Sequence, residues 1–103
     1  MVREATPDDK LADLVKDGPT VISVNAPWCG PCHKMAPIFE KLSHEYKDIN
    51  FVKLDSEDCG DICVQLGFKS LPAFFFFKDG EKVYDLFSAD PAQLEAKLKD
   101  LQH

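Results

Sequence analysis

The fold is decided by TVISVNAPWCGPC, residues 20–32, in which a β-branched and mostly apolar run leads directly into two cysteines. A short run of this kind is typical of a parallel strand that is buried on both faces. A helix is then expected from about Cys29, because the proline at position 31 suits a first helical turn, where no backbone N–H is needed. The sequence therefore predicts a strand–helix junction that carries a pair of thiols.

Composition limits the class of protein. The chain has 103 residues, 45% of them hydrophobic, which predicts one domain spanning residues 1–103 with a single modest core. A net charge of −6 argues against a nucleic-acid backbone or an anionic membrane as the main partner. We expect neither a secretory signal nor a membrane span, since no suitable apolar run occurs. Four cysteines without a signal favour a reducing compartment and a cytoplasmic location.

Strands and helices are predicted to alternate along the rest of the chain. Thr6, followed by Pro7, has the pattern of an N-cap that opens the first helix. Asp79-Gly80 is a strong hairpin signal, and the phenylalanine run before it favours a strand buried on both faces over a binding groove. The predicted strands cover residues 2–5, 20–26, 50–54, 73–77 and 82–87. The first predicted helix begins at Thr6 and stops at Gly18-Pro19, the next two cover about residues 29–46 and 58–66, and the last begins at Asp90-Pro91, with Leu94, Leu98 and Leu101 facing the core. This order, β-α-β-α-β-α-β-β-α, predicts a parallel sheet with crossover helices that ends in an antiparallel hairpin.

The spacing of Cys29 and Cys32 is typical of a thiol redox centre. At the start of a helix, unpaired backbone N–H groups and the helix dipole would favour the thiolate of Cys29, which is the species that attacks a disulfide. Cys32 would lie one turn further along, more shielded, and would react second. The sequence thus predicts a pair that closes into a disulfide and reopens as a dithiol.

Three other interpretations of the cysteines stay open at this point. Cys29 to His33 formally matches the pattern for c-type haem attachment. Cys29 and Cys32 could also join Cys59 and Cys63 in a four-thiol zinc or iron–sulfur site, although the second pair lacks the usual ligand spacing. In the third interpretation all four are structural core cysteines, which suits Cys63 better than Cys29.

Together these residues resemble the thioredoxin family. The stretch Trp28–Cys32 matches the family's active-site signature. The similarity continues at Pro37, at Lys53 on the middle strand, at Leu71–Pro72 before the phenylalanine run, and at Lys78–Glu81 in the hairpin. It extends over nearly the whole chain.

The resemblance implies an α/β thioredoxin fold with a central five-stranded mixed sheet flanked by four helices. It implies a protein-disulfide oxidoreductase in which Cys29 attacks a substrate disulfide and Cys32 resolves the mixed disulfide. Pro72 matches the family's cis-proline, beside which an extended substrate segment lies like an added strand. The implied substrate-binding surface around Cys29 consists of Trp28, Gly30, Pro31, Leu71, Pro72, Ser88 and Ala89.

The resemblance also implies the setting of the reaction. No bound cofactor is expected, because reducing equivalents come from NADPH through a thioredoxin reductase. The expected partners are that reductase and disulfide-containing substrate proteins, without nucleic acid or membrane. The implied role is electron transport in cell redox homeostasis by a monomer.

Three residues depart from the family pattern. Ser23 stands six residues before Cys29, where members usually carry a buried aspartate that takes the proton of the resolving cysteine. A serine hydroxyl cannot act as a base at neutral pH. Lys53 normally faces that aspartate, so its positive charge is expected either to lack a carboxylate partner or to lie in solvent. His33 replaces a frequent lysine and is either a titrating group that tunes Cys29 or an exposed residue of little effect. Ser88 replaces a frequent glycine beside the substrate groove, which predicts an altered partner preference.

Cys59 and Cys63 are expected to be reduced. A disulfide between them would be strained, because side chains at i and i+4 of a helix are poorly aimed for it. Cys59 resembles an extra cysteine of animal cytosolic members and could bridge two chains into a dimer if it were exposed.

Overall fold

The computed structural model describes residues 1–102 and has the predicted order of elements. The strands are β1 (Val2–Glu4), β2 (Thr20–Asn25), β3 (Asn50–Asp55), β4 (Ala73–Lys78) and β5 (Glu81–Leu86). The helices are α1 (Leu11–Leu14), α2 (Gly30–Glu45), α3 (Gly60–Leu66) and α4 (Pro91–Gln102). The sheet order is β1-β3-β2-β4-β5, in which β1, β3 and β2 are parallel and β4 and β5 are antiparallel to their neighbours. The expected five-stranded mixed sheet with four helices is confirmed.

The two central strands, β2 and β4, are buried on both faces. Successive side chains of a strand point to opposite faces, so the phenylalanine run of β4 supplies two layers of core. Phe75 and Phe77 pack with α1 and α3, whereas Phe74 and Phe76 pack with α2 and α4. The run is therefore structural, as predicted, and it holds the end of β2 rigidly in the middle of the sheet.

Helix α2 turns one face to this core and begins directly at the cysteine pair. Its buried residues are Cys32, Met35, Phe39, Leu42 and Ser43. Cys29 is its N-cap and Tyr46 its C-cap. Pro37 lies inside the helix, as the sequence indicated. The predicted bounds of 29–46 thus include only the two capping residues in addition to the helix.

The first helix is much shorter than predicted, and the expected N-cap at Thr6 is wrong. Residues 6–9 form a turn in which Asp9, rather than Thr6, supplies the capping oxygens. The Asp9 carboxylate accepts from the Thr6 backbone N–H at 2.8 Å and from the Arg3 guanidinium at 2.8 Å. The bond from the Thr6 N–H is the main reason that the pKa of Asp9 is lowered. These contacts hold the chain in a turn, and α1 begins only at Leu11.

The hairpin between β4 and β5 has the geometry that its sequence requires. Asp79 and Gly80 both adopt positive φ, 56° and 81°. A two-residue turn needs this conformation if it is to match the twist of the flanking strands. Gly67 similarly ends α3 in the left-handed conformation with φ 67°. Helix α3 itself begins at Gly60, two residues later than predicted.

The two glycines at the ends of α3 give a matched test of this backbone. Gly67→Ala should lower the free energy of unfolding by about 1–2 kcal/mol, because an L-residue is strained at positive φ although open space surrounds the position. Gly60→Ala, at a helical position without positive φ, should raise it by about 0.5–1 kcal/mol. Urea denaturation of both variants measures the two effects. Equal changes in the two variants would contradict the assigned helix end.

Candidate active site

Cys29 and Cys32 form a disulfide at the junction between β2 and α2. Their Cα atoms lie 5.3 Å apart, because both belong to the first turn of one helix. The Cys29 backbone N–H donates to the Ala26 carbonyl at 3.1 Å, which fixes the loop that leads into the helix. The short connection after a buried strand therefore places both sulfurs at the carboxyl end of β2.

Cys29 occupies the N-cap position, and its sulfur acts as the cap. Its Sγ accepts a hydrogen bond from the Cys32 backbone N–H at 3.2 Å. The first N–H groups of a helix have no partner within the helix and form its positive end. After reduction, negative charge on Cys29 would thus face a donor that is already in place. This arrangement can stabilise an attacking thiolate.

Both cysteines are buried in the disulfide form. Cys29 is 4% exposed and Cys32 is 2% exposed, so the expected difference in shielding is small. The pair forms a small apolar cluster with Ala26, against which Leu71 packs. The Leu71–Pro72 peptide bond is cis, as the resemblance implied. The loop before β4 therefore lies against the cluster that contains the disulfide.

Trp28 is the exposed apolar residue of the site, and its partner Glu57 was missed by sequence reasoning. Trp28 is 70% exposed, and its Nε1–H donates to Glu57 Oε1 at 3.1 Å. The Glu57 backbone N–H in turn donates to Asp55 Oδ1 at 2.8 Å. Because β3 runs parallel to β2, the residues that follow the two strands meet at the same edge of the sheet. The acidic residues after β3 were the signal that could have indicated this contact.

Ser23 is buried, and its hydroxyl bonds along its own strand. The Oγ–H donates to Asn25 Oδ1 at 3.2 Å, and the residue itself is 3% exposed. Ser23 pairs in register with Lys53 of β3. Lys53 is exposed, which favours the expectation that its side chain reaches solvent.

Two pockets that share lining residues lie between Ser23 and Cys32. One, of about 400 Å³, is lined in part by Ser23, Asn25 and Lys53. The other, of about 190 Å³, is lined in part by Cys32 together with the same Asn25 and Lys53. A pocket that is lined in part by polar side chains therefore lies beside the buried Cys32, while Ser23 offers a neutral hydroxyl where the resemblance implies a carboxylate.

His33 is exposed and bonds to the loop that precedes the cysteines. Its Nε2 lies 2.8 Å from the Pro27 carbonyl oxygen. Since a carbonyl can only accept, Nε2 carries the proton in this contact. The imidazole ring thus contacts the backbone carbonyl of Pro27. An effect of His33 on the reactivity of Cys29 stays a prediction.

The segment between β5 and α4 lies beside the Leu71 loop. The Ser70 hydroxyl donates to the Phe87 carbonyl at 3.4 Å, which joins the two segments. Ser88 follows, half-buried, and its Oγ has no hydrogen-bond partner among residues 1–102. Ala89 packs against the core cluster beneath α2 and α4. The structure thus brings this segment close to the loop that covers the disulfide.

Cys59 and Cys63 are free thiols in a different part of the core, as expected. Cys59 is 2% exposed, and its thiol donates to the Ala5 carbonyl at 3.7 Å. Burial raises the pKa of Cys59 and raises that of Cys63 to about 11. A dimer through Cys59 would require this thiol to be exposed. The thiol is instead buried against Ala5, which precedes α1.

The four thiols do not come together as a metal site would require. Cys29 and Cys32 bond to each other, and Cys59 and Cys63 belong to a separate core cluster. In the part of the chain that the structure describes, no group of three or more His, Cys, Asp or Glu side chains could hold a metal ion. No helix within residues 1–102 has both the length and the apolar character needed to cross a membrane.

Comparisons with known proteins agree with this geometry. The family model described as Thioredoxin matches residues 2–100. Thioredoxin-1 of Schizosaccharomyces pombe is 37% identical over 100 residues, which cover 96% of this chain and 97% of that protein. The crystal structure of Malassezia sympodialis thioredoxin (Mala s 13) has a TM-score of 0.92 at 31% identity and covers 100% of this chain and 92% of that one. Oxidised mitochondrial thioredoxin 3 from Saccharomyces cerevisiae has a TM-score of 0.91 at 35% identity, with coverage of 97% and 95%.

These likenesses extend over almost the whole chain and include the fold, so the resemblance drawn from the sequence is confirmed. Family membership implies disulfide substrates and a reductase as partners, and thioredoxins need no cofactor. The chain therefore belongs to the thioredoxin family and is a dithiol–disulfide oxidoreductase whose redox-active pair is Cys29 and Cys32.

Proposed function

We propose that this oxidoreductase works as a general reductase of protein disulfides, with Cys29 as the attacking thiol and Cys32 as the resolving thiol. The observation that carries the proposal is the position of Cys29 as the N-cap of α2, where its sulfur accepts the Cys32 N–H. That donor favours the thiolate of Cys29 over that of Cys32, which lies one turn inside the helix.

The reaction consists of two exchanges. The Cys29 thiolate attacks a substrate disulfide, so that a Cys29–substrate bond forms, the substrate bond breaks and one substrate sulfur leaves as a thiolate. Cys32 then loses its proton and attacks Cys29 Sγ. The Cys29–Cys32 bond forms, the mixed disulfide breaks and the second substrate sulfur leaves. The substrate gains two electrons and two protons, and the enzyme pair is oxidised.

The proton of Cys32 needs a different acceptor from the usual aspartate. Ser23 is neutral and donates its own hydrogen bond to Asn25. The pocket of about 190 Å³ beside Cys32 has room for water, and it is also lined by Lys53 and Asp55. We infer that water in this pocket or the leaving substrate thiolate takes the proton, with Ser23 and Lys53 as supporting residues.

The substrate segment is proposed to lie extended beside the cis peptide bond. Leu71 packs against the cluster formed by Ala26 and the two cysteines, and the exposed Trp28 precedes Cys29 in the chain. The bond between Trp28 and Glu57 holds that indole in place. We assign substrate binding to the surface formed by Trp28, Gly30, Pro31, Leu71, Pro72, Ser88 and Ala89.

We further propose that residues 1–103 form one domain that acts as a monomer. In this proposal the oxidised pair is regenerated from NADPH by a thioredoxin reductase, as part of electron transport in cell redox homeostasis. The burial of Cys59 supports the monomer, since its thiol faces the Ala5 carbonyl rather than solvent. A cytoplasmic location rests on the sequence pattern alone, and one structural relative is a mitochondrial thioredoxin.

The roles of the two thiols are tested by single substitutions. Cys29→Ser should abolish insulin reduction with dithiothreitol above the uncatalysed rate, because no attacking thiol is left. Cys32→Ser should instead accumulate a mixed disulfide with insulin, visible by mass spectrometry. Cys63→Ser, outside the site, is the control and should keep wild-type turnover. Equal rates for Cys29→Ser and the wild type would contradict the proposal.

The role of Ser23 is tested by restoring a carboxylate. Ser23→Asp should accelerate resolution of a mixed disulfide at pH 7 by about tenfold or more, because a buried carboxylate can act as a general base. Ser23→Asn is the matched control, since it has nearly the same shape and no basic group. Stopped-flow measurement of the release step compares the two. Indistinguishable rates in the two variants would exclude proton transfer as the step that Ser23 limits.

A further inference from the structure

His33 lines the same pocket as the resolving thiol. The walls of this pocket of about 190 Å³ include Cys32 and His33 from the first turns of α2, and Asn25, Lys53 and Asp55 from the ends of β2 and β3. A space of that size has room for several water molecules. A polar side chain in its wall can therefore exchange a proton with the buried Cys32 thiol through water.

The hydrogen bond of His33 determines which ring nitrogen can accept a proton. Its Nε2 lies 2.8 Å from the Pro27 carbonyl oxygen, and a carbonyl oxygen can only accept. Nε2 therefore carries the ring proton, and the lone pair of the neutral imidazole is on Nδ1. The bond to Pro27 thus holds the ring in the tautomer whose free nitrogen is a base.

The other charged groups of the pocket are less suited to receive the proton of Cys32. Lys53 carries only donors when it is protonated. Glu4 is exposed and Asp55 is half-buried. A carboxylate in contact with water is a much weaker base than a thiolate, whereas a neutral imidazole is closer to it in strength. Ser23, at the position of the usual aspartate, is neutral and donates its own hydrogen bond.

We propose that His33 is the proton acceptor for Cys32 in the resolving step, acting through water in this pocket. The inference rests on the proposed reductase function. The Cys32 thiol gives its proton to a water molecule, which passes a proton to Nδ1 of the neutral imidazole. The Cys32 thiolate attacks Cys29 Sγ, the Cys29–Cys32 bond forms, the mixed disulfide breaks and the substrate sulfur leaves as a thiolate. Because His33 is exposed, the imidazolium then returns its proton to solvent.

The test follows, by stopped flow, the two thiolates that the reduced full-length protein releases from 5,5′-dithiobis(2-nitrobenzoate). The first release reports attack by Cys29. The second, whose rate does not depend on reagent concentration, reports resolution by Cys32. The leaving aryl thiolate is a weak base and cannot replace the imidazole. His33→Gln keeps a donor for the Pro27 carbonyl but has no basic nitrogen. At pH 7 it should slow the second release about tenfold and leave the first within about twofold.

The pH dependence of the second release separates a base from a structural role. In the wild type this rate should level off above about pH 7, where the ring is neutral, and fall below it, where the protonated ring cannot accept. In His33→Gln it should keep rising with pH, because only ionisation of the Cys32 thiol itself then supplies the thiolate. Added imidazole should restore most of the lost rate in His33→Ala, since the position is exposed, and leave the wild type unchanged.

His44→Gln is the matched control, since His44 lies exposed in the last turn of α2, where it pairs with Glu40 at 3.6 Å. It should leave both releases and their pH dependence unchanged. A wild-type second release in His33→Gln would overturn the inference, as would an equal slowing of both releases, which would indicate an effect on Cys29. Failure of the reductase function would look different, because the wild type would leave insulin unreduced while still releasing both thiolates from the small disulfide.

Discussion

The site depends on one structural constraint, the passage from a fully buried central strand into a helix that begins within a few residues. Strand β2 lies between β3 and β4, and apolar side chains cover both of its faces. Its end is therefore fixed, and the first turn of α2 must begin at Cys29. The free N–H groups of that turn meet a sulfur atom instead of a carboxylate or hydroxyl cap. The position of Cys29 at the start of α2 thus follows from where the buried strand β2 ends.

The same rigid core makes the replacement of a single interior residue informative. Ser23 lies on β2 at the position where the resemblance implies a carboxylate as proton acceptor, and this chain has a neutral hydroxyl there. The hydroxyl instead bonds to Asn25, which lines both the pocket beside Ser23 and the pocket beside Cys32. In the proposed reaction, backbone geometry supports the attack by Cys29, whereas resolution by Cys32 depends on solvent and on the substrate. This division explains why the motif residues alone do not describe the reaction.

Much of this could be predicted from the sequence because the decisive signals were local. The β-branched run, the phenylalanine strand, Asp79-Gly80 and the cysteine spacing each specify their own conformation. The errors and omissions depended on contacts between distant or competing groups. The Asp9 carboxylate accepts the Thr6 N–H, and α1 is shorter than predicted. Glu57, which follows β3, accepts from Trp28, which follows β2. The Ser88 hydroxyl has no hydrogen-bond partner among residues 1–102. Such contacts depend on how distant segments pack together, and a local sequence pattern does not predict that packing.

The central claim is that the start of α2 makes Cys29, and not Cys32, the reactive thiol. The most direct measurement is the alkylation of fully reduced protein by a limiting amount of iodoacetamide at pH 7, with the modified residue mapped by peptide mass spectrometry. The account predicts that the label is found on Cys29 and that Cys32, Cys59 and Cys63 are labelled only after unfolding. Equal labelling of Cys29 and Cys32, or faster labelling of Cys32, would contradict it.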